Sequence, residues 1–278
     1  MQNLLSALER NVHCIRLALV FVALAITAAK ADEQLFELAK KAANPIADLA
    51  TVPLLYNWDG QLGATRDGTS NYLRLEPVLP LHVTPGWNVI TRLFMPIIEQ
   101  ANVTPDGVTD YGLSGVNLSF FASPTGPVAQ GLSVGLGPVV GFPASNPELG
   151  SQKWSLGPTA AIVWQPPGPW TVGFLTRQLW SVGGDIDEPE INELYLQPFL
   201  SYTTSDAWTL GINSEAFYYW LDDEASVPIN LSLTKLVRLG GAALSIGPAV
   251  RYWVENPKTD AQGWGARFTA TLVFPDDP

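Results

Sequence analysis

The stretch Tyr72-Leu73-Arg74-Leu75-Glu76-Pro77-Val78-Leu79-Pro80-Leu81 decides the fold. Its odd positions carry Leu73, Leu75, Pro77, Leu79 and Leu81, and its even positions carry Tyr72, Arg74, Glu76, Val78 and Pro80. Successive side chains of a strand point to opposite faces, so this alternation predicts a strand with one apolar and one polar face. Period two begins near Pro53 and persists, predicting about twelve strands near 54–64, 71–82, 87–99, 111–122, 129–142, 153–165, 170–182, 191–203, 208–221, 226–237, 243–255 and 263–274. Most run about 11–14 residues, against the 5–6 typical of soluble strands and the 9–11 that a tilted membrane strand needs. Length therefore favours an all-β, antiparallel transmembrane β-barrel over a soluble sandwich, and an even strand number returns both termini to one side.

The connections alternate in kind. With a periplasmic N-terminus, the periplasmic turns read Thr84-Pro85-Gly86, Ser123-Pro124-Thr125-Gly126-Pro127, Pro166-Pro167-Gly168-Pro169, Thr204-Ser205-Asp206 and Leu239-Gly240-Gly241. All are short and rich in turn formers. The other connections, 102–110, 144–152, 183–190, 221–225 and 255–262, are mostly longer and are expected to be extracellular. They concentrate acid, with Asp185, Asp187, Glu188 and Glu190 in one loop and Asp222, Asp223 and Glu224 in another. Trp87, Trp170 and Trp208 each follow a short turn, while Tyr111, Trp154, Trp180, Trp220, Trp253 and Trp264 lie near the opposite strand ends. Two such rows are the aromatic girdles of a membrane barrel. One tension is the proline inside strands, at Pro77, Pro96, Pro198 and the pairs Gly137-Pro138, Gly157-Pro158 and Gly247-Pro248. A closed barrel has no free edge to hide a missing N–H, so bulges or bends are expected there.

At the N-terminus, Arg10 and Arg16 lead into an apolar run from Leu17 to Ile26, followed by Ala29-Lys30-Ala31. A basic lead, a short apolar core and an A-x-A site are the parts of a secretory signal peptide. The competing reading, a membrane anchor, needs about 20 apolar residues, and this run would reach only about 16 Å as helix. Residues 1–31 are thus read as the leader, 32–52 as a periplasmic helix or plug segment and 53–275 as the barrel. Cleavage removes Arg10, Arg16 and Lys30 from the 15 basic residues and Glu9 from the 26 acidic ones, leaving 12 against 25, a net −13. The one cysteine, Cys14, leaves with the leader; it precedes the apolar run, which argues against a lipoprotein anchor. A secreted chain without cysteine is held by its backbone network and packing. So acidic a chain is a poor partner for nucleic acid. The expected surroundings are the outer membrane of a Gram-negative-type bacterium: lipid, lipopolysaccharide and the barrel-assembly machinery. Leu35, Phe36, Leu38, Ala39 and Ala42 predict a short amphipathic helix ended by Asn44-Pro45.

The alternation turns Leu73, Leu75, Leu93, Met95, Leu194, Leu196, Leu231 and Val250 toward lipid. It turns Arg74, Glu76, Arg92, Glu193, Gln197, Asn213, Glu215, Asn230, Arg251 and Arg267 inward, with Arg177 joining them from a strand that alternates poorly. An Arg facing lipid near the midplane would cost about 2–4 kcal/mol, which motivates the inward orientation. These groups either line a polar path for a small solute and select by charge, or pair with one another in a closed interior of structural or surface-binding purpose. Catalysis has no support in the residues. His82 is the only histidine after the leader, and no Ser/His arrangement of a lipase accompanies it. No cofactor is implied, and metal-ligand spacing of Cys and His is absent. The acidic loops are either carboxylate sites for Ca²⁺ or Mg²⁺ or simply solvated.

Several motifs carry a family resemblance: the run from Ala39 to Leu49 (AKKAANPIADL), Lys153–Ala160 (KWSLGPTA), Gln197-Pro198-Phe199-Leu200, Val227-Pro228-Ile229-Asn230 and Gly263–Thr269 (GWGARFT). In these the chain resembles a family of bacterial outer-membrane transporter proteins, some mislabelled "neuromedin U", and is similar to the phenol-degradation meta-pathway barrel group. The resemblance covers nearly all of the mature chain. It implies a transmembrane barrel with a transport role, and supplies neither a defined substrate nor a catalytic residue. One departure is the C-terminal end, where Phe274 is followed by Pro275-Asp276-Asp277-Pro278 rather than closing the chain on an aromatic residue.

Overall fold

The computed structural model of the protein describes residues 33–103 and 107–275; the expected leader, 1–31, lies outside them. Helix α1 (Glu33–Ala42) precedes fifteen strand segments. These are β1 (Ala50–Leu62), β2 (Gly68–Leu75), β3 (Val78–Thr84), β4 (Trp87–Ala101), β5 (Thr109–Leu113), β6 (Asn117–Pro124), β7 (Leu132–Gly141) and β8 (Lys153–Trp164). There follow β9 (Trp170–Gly184), β10 (Asn192–Thr203), β11 (Trp208–Ser214), β12 (Ala216–Tyr219), β13 (Glu224–Leu239), β14 (Ala242–Glu255) and β15 (Gly263–Phe274). The pairs β2–β3, β5–β6 and β11–β12 are each one barrel strand broken by one to three residues, which makes twelve strands. All neighbours are antiparallel, and β1 pairs with β15 from Ala50↔Phe274 to Trp58↔Ala266, closing the barrel.

The three breaks fall where proline removes a ladder donor. Between β1 and the β2–β3 strand, pairing passes from Leu54↔Leu75 to Thr51↔Val78, skipping Pro53 and Pro77. Pro96 lies opposite the β5–β6 break and Pro198 opposite the β11–β12 break. The proline carbonyls still serve: Pro53, Pro77 and Pro96 accept from the amides of Glu76, Leu93 and Ser114 at 3.0, 3.0 and 3.2 Å. Each Gly-Pro pair interrupts one ladder in the same way. Pairing skips from Ser119↔Val139 to Ala122↔Leu136, from Leu156↔Trp180 to Thr159↔Arg177 and from Ser232↔Ala249 to Lys235↔Ile246. A Cβ at Gly137, Gly157 or Gly247 would stand 2.0, 1.8 or 2.0 Å from the carbonyl oxygen of Phe120, Gln178 or Leu233. Proline supplies the missing N–H and glycine the missing side chain, so the neighbouring strand closes in without a steric or hydrogen-bonding conflict.

The outer surface is an apolar band. Leu73, Ile229, Leu231, Leu233 and Val250 are exposed on it, as lipid contact requires. Trp87, Trp170 and Trp208 ring the short-turn end, and Tyr111, Trp154, Trp180, Trp220 and Trp264 the other. Trp253 departs from the expected girdle: it faces inward and donates to Asp59 at 2.9 Å. Tyr252 takes the outward place and packs edge-on against Trp264 at 4.9 Å. The β6–β7 connection also departs from a tight 123–127 turn. It runs to Gly131, where Leu132 donates to the Ala129 carbonyl, so β7 starts three residues later than the alternation suggested.

Inside, the wall has two halves. Ile90, Phe121, Val139 and Val163 are essentially inaccessible, and with Val78, Ala161, Leu175 and Tyr195 they make an apolar inner patch on one side. Ile46, just after α1, is inserted into that patch. Leu35 and Ala39 of α1, with Ala47 and Leu49, pack on Ala207, Leu236, Ala243 and Val273 at the short-turn end. Asn44 stops the helix by accepting from the Ile46 amide at 3.0 Å, ahead of Pro45. Buried Lys40 donates to the carbonyl of Gly168 at 2.6 Å and to that of Pro166, tying α1 across the mouth. The remainder of the inner wall carries the buried charged side chains, with a few apolar residues such as Leu55 and Ala249 among them.

Candidate functional site

Glu76 and Glu215 occupy two of the strand breaks, so their carboxylates enter the lumen where the strand ladder is interrupted. Arg74 of β2 reaches both. Its guanidinium donates to Glu215 at 2.5 and 3.0 Å, and its Nε lies 2.6 Å from Glu76 Oε1. The second contact is a close charge approach without hydrogen-bond alignment. Arg267 of β15 forks onto the same Glu215 at 2.7 and 3.1 Å, and its Nε donates to Asn57 at 2.6 Å. Arg92 of β4 donates to Glu76 at 2.8 Å and to Gln197 at 3.3 Å. Bidentate forks of this kind are the strongest geometry open to a carboxylate and a guanidinium.

A second centre adjoins the first. Arg251 of β14 donates to Asp59 at 2.8 Å, to Asn230 at 2.9 Å, to Asn57 at 3.0 Å and to the Tyr72 hydroxyl, and passes 3.6 Å from Glu215. Asn230 in turn donates to Asn213 at 2.8 Å. Arg177 of β9 is held differently. Its ion pair with Glu193 is long, 3.7 Å, and its guanidinium lies over Tyr195 at 4.2 Å, Phe94 at 5.4 Å and Phe217 at 5.5 Å. Phe94, from β4, also receives Arg74 at 5.0 Å. The structure thus brings Arg74, Glu76, Glu215, Arg251 and Arg267, all buried, and Arg92 and Gln197, half-buried, into one layer, with Arg177 and Glu193 on its flank. In a low-dielectric interior such charges persist only when paired.

Several participants escaped the sequence reading: Asn57, Asp59, Tyr72 as a partner, Trp253, and the rings of Phe94, Tyr195 and Phe217. The signal for the first two was present, since Tyr56 and Trp58 face out in alternation with Asn57 and Asp59. It was masked by Leu55, an apolar residue on the inner side of the same strand. Beneath the layer, toward α1, lies a chamber of about 270 Å³ whose wall includes Arg74, Glu76, Arg92, Glu215 and Arg267. A wider cavity of about 910 Å³ opens below it at the short-turn mouth, lined partly by Lys40, Lys41, Asn44, Asn88 and Gln165.

The acidic loop residues Asp185, Asp187, Glu188, Glu190, Asp222, Asp223 and Glu224 are all at or near the surface of the opposite end. They do not converge on the layer. Glu190 is tethered rather than free, accepting from Lys153 at 2.7 Å and from Ser181. Hydrogen bonds from Lys153 and Ser181 hold its carboxyl below the ordinary carboxylate range. Asp223 accepts from the Tyr218 hydroxyl. Among the described residues no three His, Cys, Asp or Glu side chains gather as metal ligands. His82 sits exposed at the short-turn end, 2.9 Å from Asp48.

No protein-family model matches the chain, and no curated protein matches its sequence. Among solved structures the barrel is similar to an outer membrane channel from Pseudomonas putida F1, with a TM-score of 0.63 and 14% identity over 82% of this chain and 97% of that one. Looser likenesses include the NanC porin, at TM-score 0.49 and 11% identity over 82% and 100% of the two chains. Another is the outer membrane phospholipase A of Escherichia coli, at 0.48 and 12% over 89% and 99%. The first of these likenesses, with the closure of β1 on β15 and the apolar outer band, identifies the fold as a twelve-stranded antiparallel transmembrane β-barrel.

Proposed function

We propose that the protein is an outer-membrane channel through which a small solute passes, guided by the charged layer across the polar half of the bore. The observation that carries this reading is the succession of a mouth cavity and a 270 Å³ chamber, each partly lined by polar groups, leading up to the Arg/Glu layer. An interior needed only for rigidity is more simply built from apolar side chains, which replace buried ion pairs at little or no cost in stability. The other half of this lumen is built that way. In this reading α1 and Ile46 narrow the periplasmic mouth, and the acidic loops face the medium. Lipid and lipopolysaccharide surround the barrel, and the assembly machinery receives β15. The leader, the Gram-negative setting and membership of the transporter family belong to the same proposal.

The test is conductance of the purified mature protein in planar bilayers. Discrete single-channel steps are expected, altered in size or ion preference by Arg92→Gln and Arg251→Gln. Absence of any step across a wide voltage range would refute the reading and leave a closed barrel of structural or surface-binding purpose.

A further inference from the structure

We infer that the 270 Å³ chamber beneath the charged layer is a binding site for a small monovalent organic anion, a hydroxy-carboxylate. The site rests on its own geometry; its use in transport rests on the channel reading above.

The first observation is a charge imbalance. The charged side chains lining the chamber are Arg74, Arg92 and Arg267 against Glu76 and Glu215, three guanidiniums to two carboxylates. The neighbouring ion pairs do not redress it, because Arg251 is matched by Asp59 and Arg177 by Glu193. Glu215 is divided between Arg74 and Arg267, and Glu76 between Arg74 and Arg92. Arg92 keeps its bond to Glu76, but its other terminal nitrogen meets only the neutral Gln197 amide oxygen at 3.3 Å, which leaves that side open to a further acceptor. Three guanidiniums that share two carboxylates leave the chamber wall net positive, and a bound anion neutralises it.

The second observation is the lining. Thr51, Ser201, Thr234, Ser245, Thr269 and Thr271 present hydroxyls to the chamber, and Ser201 Oγ is buried with no partner in the protein. Hydroxyls both donate and accept, so they suit a ligand that carries hydroxyl groups of its own. The volume would hold about nine waters at about 30 Å³ each, which sets a ligand of a few carbons rather than an oligomer. The acidic outer loops oppose anion entry, but they are exposed and are screened within about 3 Å at 1 M salt, whereas the buried layer is not.

The matched probes are glycerate and glycerol, which share a three-carbon skeleton and differ in charge. Isothermal titration of the detergent-solubilised full barrel should show saturable glycerate binding and none for glycerol. Arg92→Gln should weaken glycerate about tenfold or more, the worth of one charge-assisted hydrogen bond, while Arg92→Lys keeps most of the affinity. Gel mobility before and after heating confirms that both variants fold. In a 1 M to 0.3 M KCl gradient the channel should prefer chloride to potassium, and Arg92→Gln should abolish that preference. Equal binding of glycerol and glycerate, a potassium preference, or unchanged binding in Arg92→Gln would overturn the inference. Glycerate binding that Arg92→Gln weakens, in a barrel that never conducts, would sustain the site and remove the channel.

Discussion

Glu215 is the carboxylate on which the charged layer converges, and its removal gives the sharpest test of that layer. In Glu215→Ala, Arg74 and Arg267 lose both arms of their forks and Arg251 loses a 3.6 Å neighbour, so three buried guanidiniums face one another. Breaking a buried pair by deleting one partner costs about 3–5 kcal/mol. Guanidinium chloride slopes lie near 4 kcal/mol per molar, about twice the urea range, so the unfolding midpoint should fall by roughly 1 M. The assay is tryptophan fluorescence of the barrel in detergent micelles, with Glu188→Gln in an exposed loop as the control. A double change, Glu215→Leu with Arg267→Met, should recover part of the loss, because Arg267 no longer stands as an orphaned charge while Arg74 keeps only Glu76. A midpoint for Glu215→Ala within about 0.2 M of the Glu188→Gln control would show that the layer is hydrated and relaxed, and the argument from burial would be wrong.

Three other expectations follow from separate parts of the molecule. Gly157→Ala places a methyl 1.8 Å from the Gln178 carbonyl, so refolding into micelles should fall sharply, while Gly241→Ala, with nothing within 4 Å, should refold normally. Lys40→Ala frees α1 from the Pro166 and Gly168 carbonyls, and single-channel conductance should rise; an unchanged conductance would mean that α1 does not narrow the mouth. The Glu190 tether should respond to acid. Its folded carboxyl is held low by Lys153 and Ser181, so the anchoring is complete above the ordinary carboxylate pKa of about 4.3 and is lost as pH falls through the lowered folded value. A spin label at Glu188 should become more mobile over that acid range, and in Glu190→Gln it should already be mobile at neutral pH.

How much of this was legible in the sequence follows from the range of the interactions involved. Strand alternation, turn chemistry and the girdle tryptophans are local properties, and they placed all twelve strands to within a few residues. The prolines were visible as a conflict, and only the register shows how it is resolved, because a missing N–H is harmless or costly according to what the next strand places opposite it. The apolar half of the lumen was not legible. Phe121, Val139 and Val163 look the same on paper whether they meet lipid or one another, and only closure of the barrel turns one side inward. The sequence by itself determined a closed antiparallel β-barrel and an alternation that turns charged side chains such as Arg74 and Arg251 away from lipid. Tertiary structure alone decided that Arg74 meets a carboxylate 141 positions away, that Asp59 balances Arg251, and that three guanidiniums share two carboxylates at one chamber. Pairing across a lumen depends on the stagger and curvature of all twelve strands together, a property that no single segment encodes.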